Sequence, residues 1–516
     1  MDTTSLSMLN DVEKDVLSLA FWKTICIFVR KMTLIMTNYN IIGREHEQAV
    51  IRSYLESGKS ELIAVYGRRR VGKTYLVKSI FQNDFDFSFT GLYDVTRSVH
   101  LAQFQKYIER YSGKKVKRPK DWFEAFDMLR DYLDTLQKDR IVVFLDEIPW
   151  MDTPKSNFLA AFAQFWNDWA SMKQNVKLIV CGSATSWMLS KFIGDKGGIY
   201  GRVCRPIWLA PFNLGETERF LKEMKGIEMN RHQILKIYMI MGGIPYYLDM
   251  LLKEIPLDVC IDDLLFRRGA PLRTEFDFLF RSLFKEARLY RNVVQVLATR
   301  QKGMSRQELL ETLRLQEGGT MTEVLDNLVK CDFIRKYTAI GKAERDAQYQ
   351  LTDLFSLFHI KFVANNSGQD EHLWSKLSGR GQVTSWSGYA FEQVCLHHIS
   401  QIKKALGIGG IICNAHSWSC KPFIDKNGTR WIGGQIDLLI DRADEVINVC
   451  EMKYVSDKYE IDANYEERLR NRASLFRAVT KTRKVLHHTF ITTYGVARNL
   501  HSAIVQSEVL MDDLFQ

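Results

Sequence analysis

The feature that most limits the fold of this chain is an eight-residue loop at positions 67–74, which reads Gly-Arg-Arg-Arg-Val-Gly-Lys-Thr. An apolar run at residues 61–66 precedes it and predicts a short buried strand, and the residues after it have helical character. The glycines let the backbone curl, so that successive N–H groups and the N-terminus of the helix face the phosphates of a nucleotide. We therefore expect a nucleoside triphosphate to contact Gly67, Arg68, Arg69, Arg70, Val71, Gly72, Lys73 and Thr74.

A second strand with an acidic end fits the same chemistry. Residues 140–147 read Arg-Ile-Val-Val-Phe-Leu-Asp-Glu, and an apolar run without alternation is typical of a strand buried on both faces of a parallel sheet. The carboxyl ends of such strands are where these sheets bind ligands. We expect Lys73 to balance phosphate charge, Thr74 and Asp146 to hold Mg²⁺, and Glu147 to polarise the attacking water.

Length and charge suggest several domains and an acidic partner. A chain of 516 residues exceeds what one hydrophobic core normally supports. The net charge of +10 favours nucleic acid as a partner, although excess Lys and Arg also serve solubility. The apolar stretch at residues 16–29 contains Lys23 and is shorter than the roughly 20 residues that span a bilayer. These features predict a cytoplasmic protein without a membrane partner.

The patterning divides the chain into five segments. Strands that alternate with helices predict a parallel α/β sheet, and Gly242, Gly243 and Pro245 mark a turn between helices of a small lid. Met32 and Met36 precede the recognisable pattern, so the first residues are interpreted as an extension created by an early start codon. The predicted segments are an N-terminal extension at 1–37, a P-loop core at 38–214, a helical lid at 215–285, a winged helix at 286–365 and a C-terminal α/β domain at 366–516.

Three further residues of the core are candidates for contact with the γ-phosphate. The strand at residues 176–183 ends in small polar residues, so Ser183 or Thr185 could reach the phosphate; the alternative is that one of them caps the next helix. Arg202 follows a glycine-rich turn and could stabilise charge that develops on the γ-phosphoryl group. Whether Arg202 acts within its own subunit or on a neighbouring copy in a homo-oligomer stays open.

Short helices followed by two short strands at residues 286–365 predict a winged helix-turn-helix. Such modules place their second helix in the DNA major groove, and they also serve as hinges between proteins. The candidate recognition helix carries Glu323 and Asp326 and a single base, Lys330. This acidic composition disfavours direct reading of DNA by that helix.

A second chemical constellation lies near the C-terminus. Residues 436–441 and 446–454 read as two strands of a hairpin that brings Asp437, Glu451 and Lys453 together, and Glu392 on an upstream helix adds a fourth group. Carboxylates beside a lysine suit metal-assisted phosphodiester hydrolysis, with Asp437, Glu451 and Glu392 as metal ligands and Lys453 orienting or deprotonating water. The alternative is a surface hairpin with a Glu451–Lys453 ion pair.

Taken together, these motifs resemble the archaeal and bacterial P-loop ATPases close to the AAA+ and STAND proteins. The resemblance rests on the Ile-Gly-Arg-Glu segment at 42–45, the loop at 67–74, the Leu-Asp-Glu at 145–147, the Tyr-Gly-Arg at 200–202 and the Gly-Gly-Ile-Pro at 242–245. It implies ATP and Mg²⁺ as cofactors and places Ile42 and Gly43 near the adenine. The remainder resembles the DUF234 module, which is similar to PD-(D/E)xK nucleases, although Gln435-Ile436 stands before Asp437 in place of a proline.

Two functions of different class follow from these expectations. The first is a Mg²⁺-dependent ATPase coupled to DNA through its winged helix, in which the state of the nucleotide controls a C-terminal nuclease-like domain. The second is an ATP-driven conformational switch whose C-terminal domain binds a protein partner without cleaving nucleic acid. A purely structural protein with a decayed loop is a third reading.

Overall fold

The structure is a computed structural model that describes residues 41–194, 198–199, 201–338, 340, 344–366, 370–425 and 428–516. The predicted N-terminal extension and the apolar stretch at 16–29 lie outside the described residues, as does Tyr200 of the Tyr-Gly-Arg motif. None of the described helices is long and apolar enough to cross a membrane.

The first part of the chain forms a five-stranded parallel sheet, as the sequence predicts. Its strands are β1 (Glu61–Tyr66), β2 (Phe87–Thr90), β3 (Ile141–Asp146), β4 (Val176–Gly182) and β5 (Arg205–Trp208), in the order β2-β3-β4-β1-β5. Strands β1, β3 and β4 are buried along almost their whole length, because helices cover both faces of the sheet. Strand β4 lies between β1 and β3, so its polar end falls between the ends of the other two.

Seven helices accompany this sheet. They are α1 (Glu45–Leu55), α2 (Lys73–Ile80), α3 (Arg97–Ser112), α4 (Trp122–Asp134), α5 (Ile148–Met151), α6 (Phe158–Asp168) and α7 (Thr185–Trp187). Helices α3, α4 and α6 cover one face with an aromatic core in which Trp122 contacts Phe104, Phe126 and Phe158 edge-on or at a tilt. Helix α2 starts at the loop of residues 67–72 and packs its apolar residues on the other face.

A group of helices follows β5. It comprises α8 (Leu214–Arg219), α9 (Arg231–Met241), α10 (Pro245–Asp249), α11 (Leu257–Leu265) and α12 (Glu275–Leu283). Helix α9 ends at Gly242, which is left-handed, and Pro245 starts α10, so the predicted Gly-Pro turn between two helices is present. Gly243 lies so close to Phe212 that a Cβ atom there would stand 2.1 Å from the Phe212 carbonyl oxygen.

The next part pairs three helices with a small antiparallel sheet. The helices are α13 (Ala287–Ala298), α14 (Arg306–Leu313) and α15 (Gly319–Lys330). Strand β6 (Met304–Ser305) lies between α13 and α14, and strands β7 (Ile334–Tyr337) and β8 (Gln348–Leu351) follow α15. The order of the strands in the sheet is β6-β8-β7. A capping box at Ser305 and Glu308 starts α14. The helix and strand positions agree with those expected, and the assignment as a winged helix stays a prediction.

The C-terminal part is built on a mixed five-stranded sheet. Its strands are β9 (Cys413–Cys420), β12 (Gly434–Arg442), β13 (Val446–Lys453), β14 (Val485–Thr492) and β15 (Ser507–Leu510), in the order β15-β14-β13-β12-β9. Strands β9, β12 and β13 are antiparallel, and β13, β14 and β15 are parallel. A separate pair, β10 (Phe423–Ile424) and β11 (Arg430–Trp431), precedes β12.

The helices of the C-terminal part are α16 (Leu354–Phe358), α17 (Leu373–Leu377), α18 (Gly381–His397), α19 (Ile399–Ala405) and α20 (Ala463–Thr480). Helix α20 connects β13 to the parallel strand β14, as a crossover requires. Shorter turns of helix lie at Ala170–Met172, Met188–Ile193, Phe220–Met224, Glu344–Asp346, His359–Val363, Leu500–Ile504 and Met511–Phe515.

One apolar core joins these parts. A single cluster of buried side chains extends from Leu76 on α2 through Tyr238 on α9 and Leu325 on α15 to Val394 on α18 and Phe515 near the C-terminus. His398 accepts a hydrogen bond from the Leu214 N–H at 3.0 Å, so the start of α8 is tied to the C-terminal part. Because this core is continuous, movement near α2 has a packed route to the C-terminal sheet.

Candidate functional sites

The loop between β1 and α2 has the geometry of an anion cradle. Gly72 is the N-cap of α2 and has a left-handed backbone, with φ of 93°. Gly67 has φ of 148°, and a Cβ atom there would stand 2.3 Å from the Leu209 carbonyl oxygen. These two positions require glycine, because a side chain would strain the first and collide with the backbone at the second. The first turn of α2 therefore points its free N–H groups into the loop.

Lys73 and Thr74, the predicted phosphate and magnesium ligands, form the start of α2. The Lys73 Nζ donates hydrogen bonds to the carbonyl oxygens of Gly67 at 2.9 Å and Arg68 at 2.7 Å. Burial lowers the pKa of Lys73, and the nearby charge of Glu147 opposes that shift. The Thr74 hydroxyl donates to Asp146 Oδ2 at 2.8 Å, so the two predicted magnesium ligands are in contact.

Asp146 and Glu147 lie at the end of β3 beside this loop. Burial, and next the charge of Glu147, raise the pKa of Asp146 to about 6. Glu147 has a left-handed backbone, and its Oε2 accepts hydrogen bonds from the Ser183 N–H at 2.9 Å and hydroxyl at 2.7 Å. Ser183 thus holds Glu147. The N-cap of α7 is Ala184, so neither Ser183 nor Thr185 caps that helix.

A cavity of about 440 Å³ opens beside the loop. Ile41 and Ile42 form one wall, and Phe220 and Tyr246, from the helical segment after β5, form another. Gly43 approaches α8 instead, because a Cβ atom on it would stand 2.4 Å from Glu216 Oε1. The further lining residues include Arg70, Val71, Gly72, Lys73, Thr74, Glu147, Leu209, Phe212, Met224, Pro245 and Asp249.

The oxygen donors at this cavity and directly beside it suit Mg²⁺, with Thr74 in the lining and Asp146 behind it in contact with Thr74. Among the described residues, no group of three or more His, Cys, Asp or Glu side chains is arranged to hold a metal. Mg²⁺ in nucleotide sites is normally held by one or two protein oxygens together with phosphates and water. The Thr74 hydroxyl and the Asp146 carboxylate meet that requirement, and they would supply two oxygen ligands to an ion that neutralises phosphate charge.

Two arginines of the loop form ion pairs with neighbouring parts of the chain. Arg70 also lines the cavity, whereas Arg68, expected to contact the nucleotide, does not. Arg68 forms a buried ion pair with Asp353, with 2.6 Å between Nη1 and Oδ1. Arg70 pairs with Glu275 of α12 at 2.9 Å and lies over the ring of Tyr246. Arg69 is partly buried in the same loop. The sequence alone did not indicate these partners, because Asp353 and Glu275 lie outside any motif.

Arg202, the candidate for stabilising the γ-phosphoryl charge, is exposed. Its backbone N–H donates to the Ile199 carbonyl oxygen in a tight turn, and the residue is not part of the cavity lining. Its expected role therefore stays a prediction.

Comparison with known proteins agrees with the loop geometry. Residues 41–251 match the family model described as an ATPase domain predominantly from Archaea. The match supports a P-loop ATPase. An uncharacterized protein of Methanocaldococcus jannaschii is 26% identical over 367 residues, which cover 70% of this chain and 78% of that protein.

Several solved structures are similar at lower levels. The Walker-type ATPase PABY2304 of Pyrococcus abyssi is 18% identical, with a TM-score of 0.45, and the match covers 62% of this chain and 96% of that one. The Aeropyrum pernix ORC2 protein, solved as ADPNP–ADP complexes, is 16% identical with a TM-score of 0.41, covering 66% and 96%. The Thermotoga maritima RuvB Holliday junction branch migration motor is 15% identical with a TM-score of 0.33, covering 60% and 92%.

The C-terminal sheet carries a second polar cavity, of about 760 Å³. Asp437 on β12, Glu451 and Lys453 on β13, and Glu392 on α18 all line it, so the four residues singled out from the sequence are brought together. Asp437 lies where the pairing of β12 with β9 shifts register, and such irregularities re-aim side chains. The predicted hairpin of β12 and β13 is present, with Leu438 opposite Cys450.

Other side chains already hold the carboxylates of this cavity. Glu451 accepts a hydrogen bond from the Tyr465 hydroxyl at 2.7 Å, pairs with Arg472, and lies 3.6 Å from the Lys453 Nζ. Gln435 donates to Asp437 Oδ1. The ion pair of Glu451 with Lys453, the alternative reading of this hairpin, is therefore present within a wider network. Tyr465 and Arg472 come from α20, and no motif indicated them in advance.

Burial raises the pKa values of two carboxyl groups in this cavity. It raises the pKa of Glu392 to about 8, and the charge of Asp437 adds to the effect. The pKa of Asp437 is also raised, again mainly by burial. Clustered carboxylates with raised pKa values are common at functional sites, because they repel one another until a cation joins them.

Proposed function

We propose that this chain is a Mg²⁺-dependent ATPase whose nucleotide state acts on a DNA-directed C-terminal domain. The contact between Thr74 and Asp146 at the mouth of the glycine-rich loop carries the ATPase part of the proposal. Lys73, Thr74 and Glu147 line one cavity, and the buried Asp146 accepts the hydrogen bond of the Thr74 hydroxyl beside it. This combination is what phosphoryl transfer requires, since its catalysis consists of positioning and charge stabilisation.

The residues of the loop have separate roles in this proposal. Lys73 exchanges the carbonyl oxygens of Gly67 and Arg68 for phosphate oxygens when nucleotide binds. Glu147 orients the attacking water and accepts its proton, and Ser183 positions the Glu147 carboxylate. Mg²⁺ would supply positive charge at the phosphates. Ile42 and the lid side chains exclude water from the base and the sugar.

A chain of contacts from the glycine-rich loop to the C-terminal part supports coupling between nucleotide binding and the second cavity. Arg68 belongs to the loop, and its partner Asp353 also accepts a hydrogen bond from the Ser356 N–H at 3.0 Å as the N-cap of α16. A shift of the loop on nucleotide binding would therefore pull directly on the start of α16. Helix α16 packs against α18, which carries Glu392 of the second cavity.

For the C-terminal domain we propose metal-dependent cleavage of DNA. The convergence of Asp437, Glu451, Lys453 and Glu392 on one cavity supports this proposal, and so does the order of a helix, three antiparallel strands, a crossover helix and a parallel strand. The described residues hold no arrangement of three such side chains for a metal, so the expected set of Asp437, Glu451 and Glu392 is not assembled as three ligands. A metal there would be held by Asp437 and Glu451 together with water, and it would activate water for attack on a phosphodiester. Lys453 would orient that water.

The ATPase proposal is tested by ATP hydrolysis with Mg²⁺. Glu147→Gln should reduce kcat by roughly 10²–10⁴-fold while ATP still binds, since general base catalysis typically contributes that factor. Lys106→Ala, which replaces an exposed lysine on α3 outside the cavity, serves as a control that should retain activity. Equal rates for the wild type and Glu147→Gln would refute the role of Glu147.

The cleavage proposal is tested with supercoiled plasmid and Mg²⁺ or Mn²⁺, with and without ATP. Asp437→Asn should abolish cleavage, whereas Asp441→Asn, on the same strand and paired with Lys484 outside the cavity, should leave it intact. The absence of cleavage under every condition, with ATP still bound, would instead favour the conformational switch. That second function predicts a change in mass or shape with ATP and very slow hydrolysis.

A further inference from the structure

The C-terminal cavity has basic walls above an acidic floor. Among the described residues, its lining includes five basic residues and three carboxylates, Glu392, Asp437 and Glu451. Three of the basic residues, Lys302, Arg430 and Arg468, are exposed at the rim. Lys302 comes from the part of the chain that contains α13 to α15, so two parts of the protein build this rim. A strand of phosphates could lie along such walls while the floor stays free for a cation.

An apolar hairpin stands at the same rim. Among the described residues, strands β10 and β11 pair with each other and with no other strand, with Phe423 opposite Trp431 and Ile424 opposite Arg430. Ile424 is 70% exposed, and Ile432, directly after β11, is 84% exposed. The rings of Phe423 and Trp431 stack with 6.4 Å between their centroids. Large apolar side chains grouped in this way on a surface are typical of a binding site.

Basic and apolar side chains that lie side by side on one surface fit unpaired DNA better than duplex DNA or a protein. Unpaired DNA offers phosphates to basic side chains and flat base faces to aromatic or apolar ones. Intact duplex DNA keeps its bases stacked inside, so it could use only the basic rim. A protein partner would use the apolar hairpin, but it would gain little from basic walls around an acidic floor.

We propose that the β10–β11 hairpin and the basic rim bind unpaired DNA, so that the cavity recognises single strands or the unpaired part of a junction. Trp431 and its neighbours Ile424 and Ile432 contact bases, and Arg430 with Arg468 contacts the backbone. The Trp431 Nε1 donates to Asp425 Oδ2 at 3.1 Å, which fixes the plane of the ring in advance. This inference rests on the proposed DNA-directed function and names the form of DNA that the site takes.

The test measures binding without cleavage. Fluorescence anisotropy of labelled DNA measures how tightly the full chain binds a thymidine 20-mer and a blunt 20-base-pair duplex, with EDTA present to prevent cleavage. The wild type should bind the single strand more tightly. The double variant Ile424→Ser/Ile432→Ser should weaken single-strand binding roughly tenfold, because the apolar contact of two isoleucine side chains with base faces is lost, and should leave duplex binding unchanged. Leu500→Ser is the matched control, because Leu500 is 88% exposed outside this cavity.

The basic rim has its own variant. Arg430→Ala/Arg468→Ala should weaken binding to both DNA forms and reduce the slope of log K against log salt by about 1.4 for the single strand, at about 0.7 for each charge removed. Circular dichroism of both double variants checks that they fold. If the wild type binds duplex as tightly as the single strand, or if the apolar variant binds the single strand like Leu500→Ser, the inference is overturned.

The outcomes separate this inference from the proposed function. DNA binding with the predicted pattern but without plasmid cleavage would retain the surface and refute the nuclease. Cleavage that depends on Asp437 together with unchanged binding by both double variants would retain the nuclease and overturn the surface. A loss of self-association in the apolar variant, without any effect on DNA, would assign the hairpin to protein contact and overturn the inference. A melting-temperature shift with ATP tests the ATPase site independently.

Discussion

The buried ion pair between Arg68 and Asp353 gives the sharpest prediction about coupling. Both side chains are almost fully buried, and Arg68 also lies over the ring of Phe333. Burial opposes the charge of Arg68, but Asp353 holds the pKa of the guanidinium above its ordinary value. Replacement of Arg68 by Met would remove the positive charge and leave Asp353 buried without its partner.

The expected cost follows from the chemistry of buried pairs. Removal of one partner typically costs about 3–5 kcal/mol, so opening of the segment around α16 should become roughly 100-fold more frequent or more in Arg68→Met. Replacement of both partners, as in Arg68→Met/Asp353→Leu, removes the stranded charge. It should then cost only about 1 kcal/mol, from the lost N-cap of α16.

Hydrogen exchange measures this locally, because a chain of several domains has no single free energy of unfolding. Amides of residues 354–363 should exchange roughly 100-fold faster in Arg68→Met, and far less so in the double variant. Arg219→Met is the control, since Arg219 and Glu45 are exposed and such pairs contribute about 0–1 kcal/mol.

Two results would refute the reasoning. Exchange of these amides in Arg68→Met within about threefold of the wild type, in a protein that is otherwise folded, would show that the pair does not hold α16. Protection of residues 354–363 by ATP to the same degree in the wild type and in Arg68→Met would show that coupling does not pass through this pair. If the pair does couple the two parts, we expect ATP to bind Arg68→Met without protecting the amides of residues 354–363 from exchange.

Three further predictions concern the nucleotide site and the lid. The folded-state pKa of Asp146, about 6, lies above its ordinary value of 3.8, so its contribution to the stability of the fold is present below pH 3.8 and is lost as pH rises through about 6. The carboxylate form that binds Mg²⁺ appears over the same range. ATP titrations at several pH values should therefore show Mg²⁺-dependent binding that strengthens through about pH 6 in the wild type but not in Asp146→Asn. Lys73→Ala should lose the stabilisation by ATP of about 2.7 kcal/mol expected at 100 times the dissociation constant, and an unchanged thermal shift would contradict this. Gly243→Ala should lower the melting temperature more than Gly226→Ala. Both glycines have a left-handed backbone, in which any residue with a side chain costs about 1–2 kcal/mol of stability. Only at Gly243 would the added Cβ atom also collide with the backbone of Phe212.

Much of the nucleotide site could be predicted from local sequence. The loop at 67–74, the strand before it and the acidic end of β3 are each contiguous, and their chemistry follows from residue type and order. The contact of Thr74 with Asp146 follows from the parallel sheet, because the carboxyl ends of its strands share one edge. The assembly of Asp437, Glu451 and Lys453 follows in the same way from two adjacent strands of a hairpin.

The partners of these residues could not be predicted, for a physical reason. Arg68 and Asp353 are 285 positions apart, and nothing in local pattern favours that pairing over any other Arg and Asp. Only the packing of the loop against the start of α16 excludes water and makes the pair obligatory. The ties of Glu451 to Tyr465 and Arg472 likewise depend on where α20 crosses the sheet.

The sequence by itself therefore determined the chemistry available at each site: a glycine-rich anion cradle with hydroxyl and carboxylate oxygens beside it, and a cluster of carboxylates with a lysine. The tertiary structure alone decided which groups hold those side chains, that Ser183 holds Glu147, and that a basic rim and an apolar hairpin surround the C-terminal cavity. Residue type and short spacing set intrinsic chemistry, whereas burial and long-range contacts arise only when separate elements pack against each other.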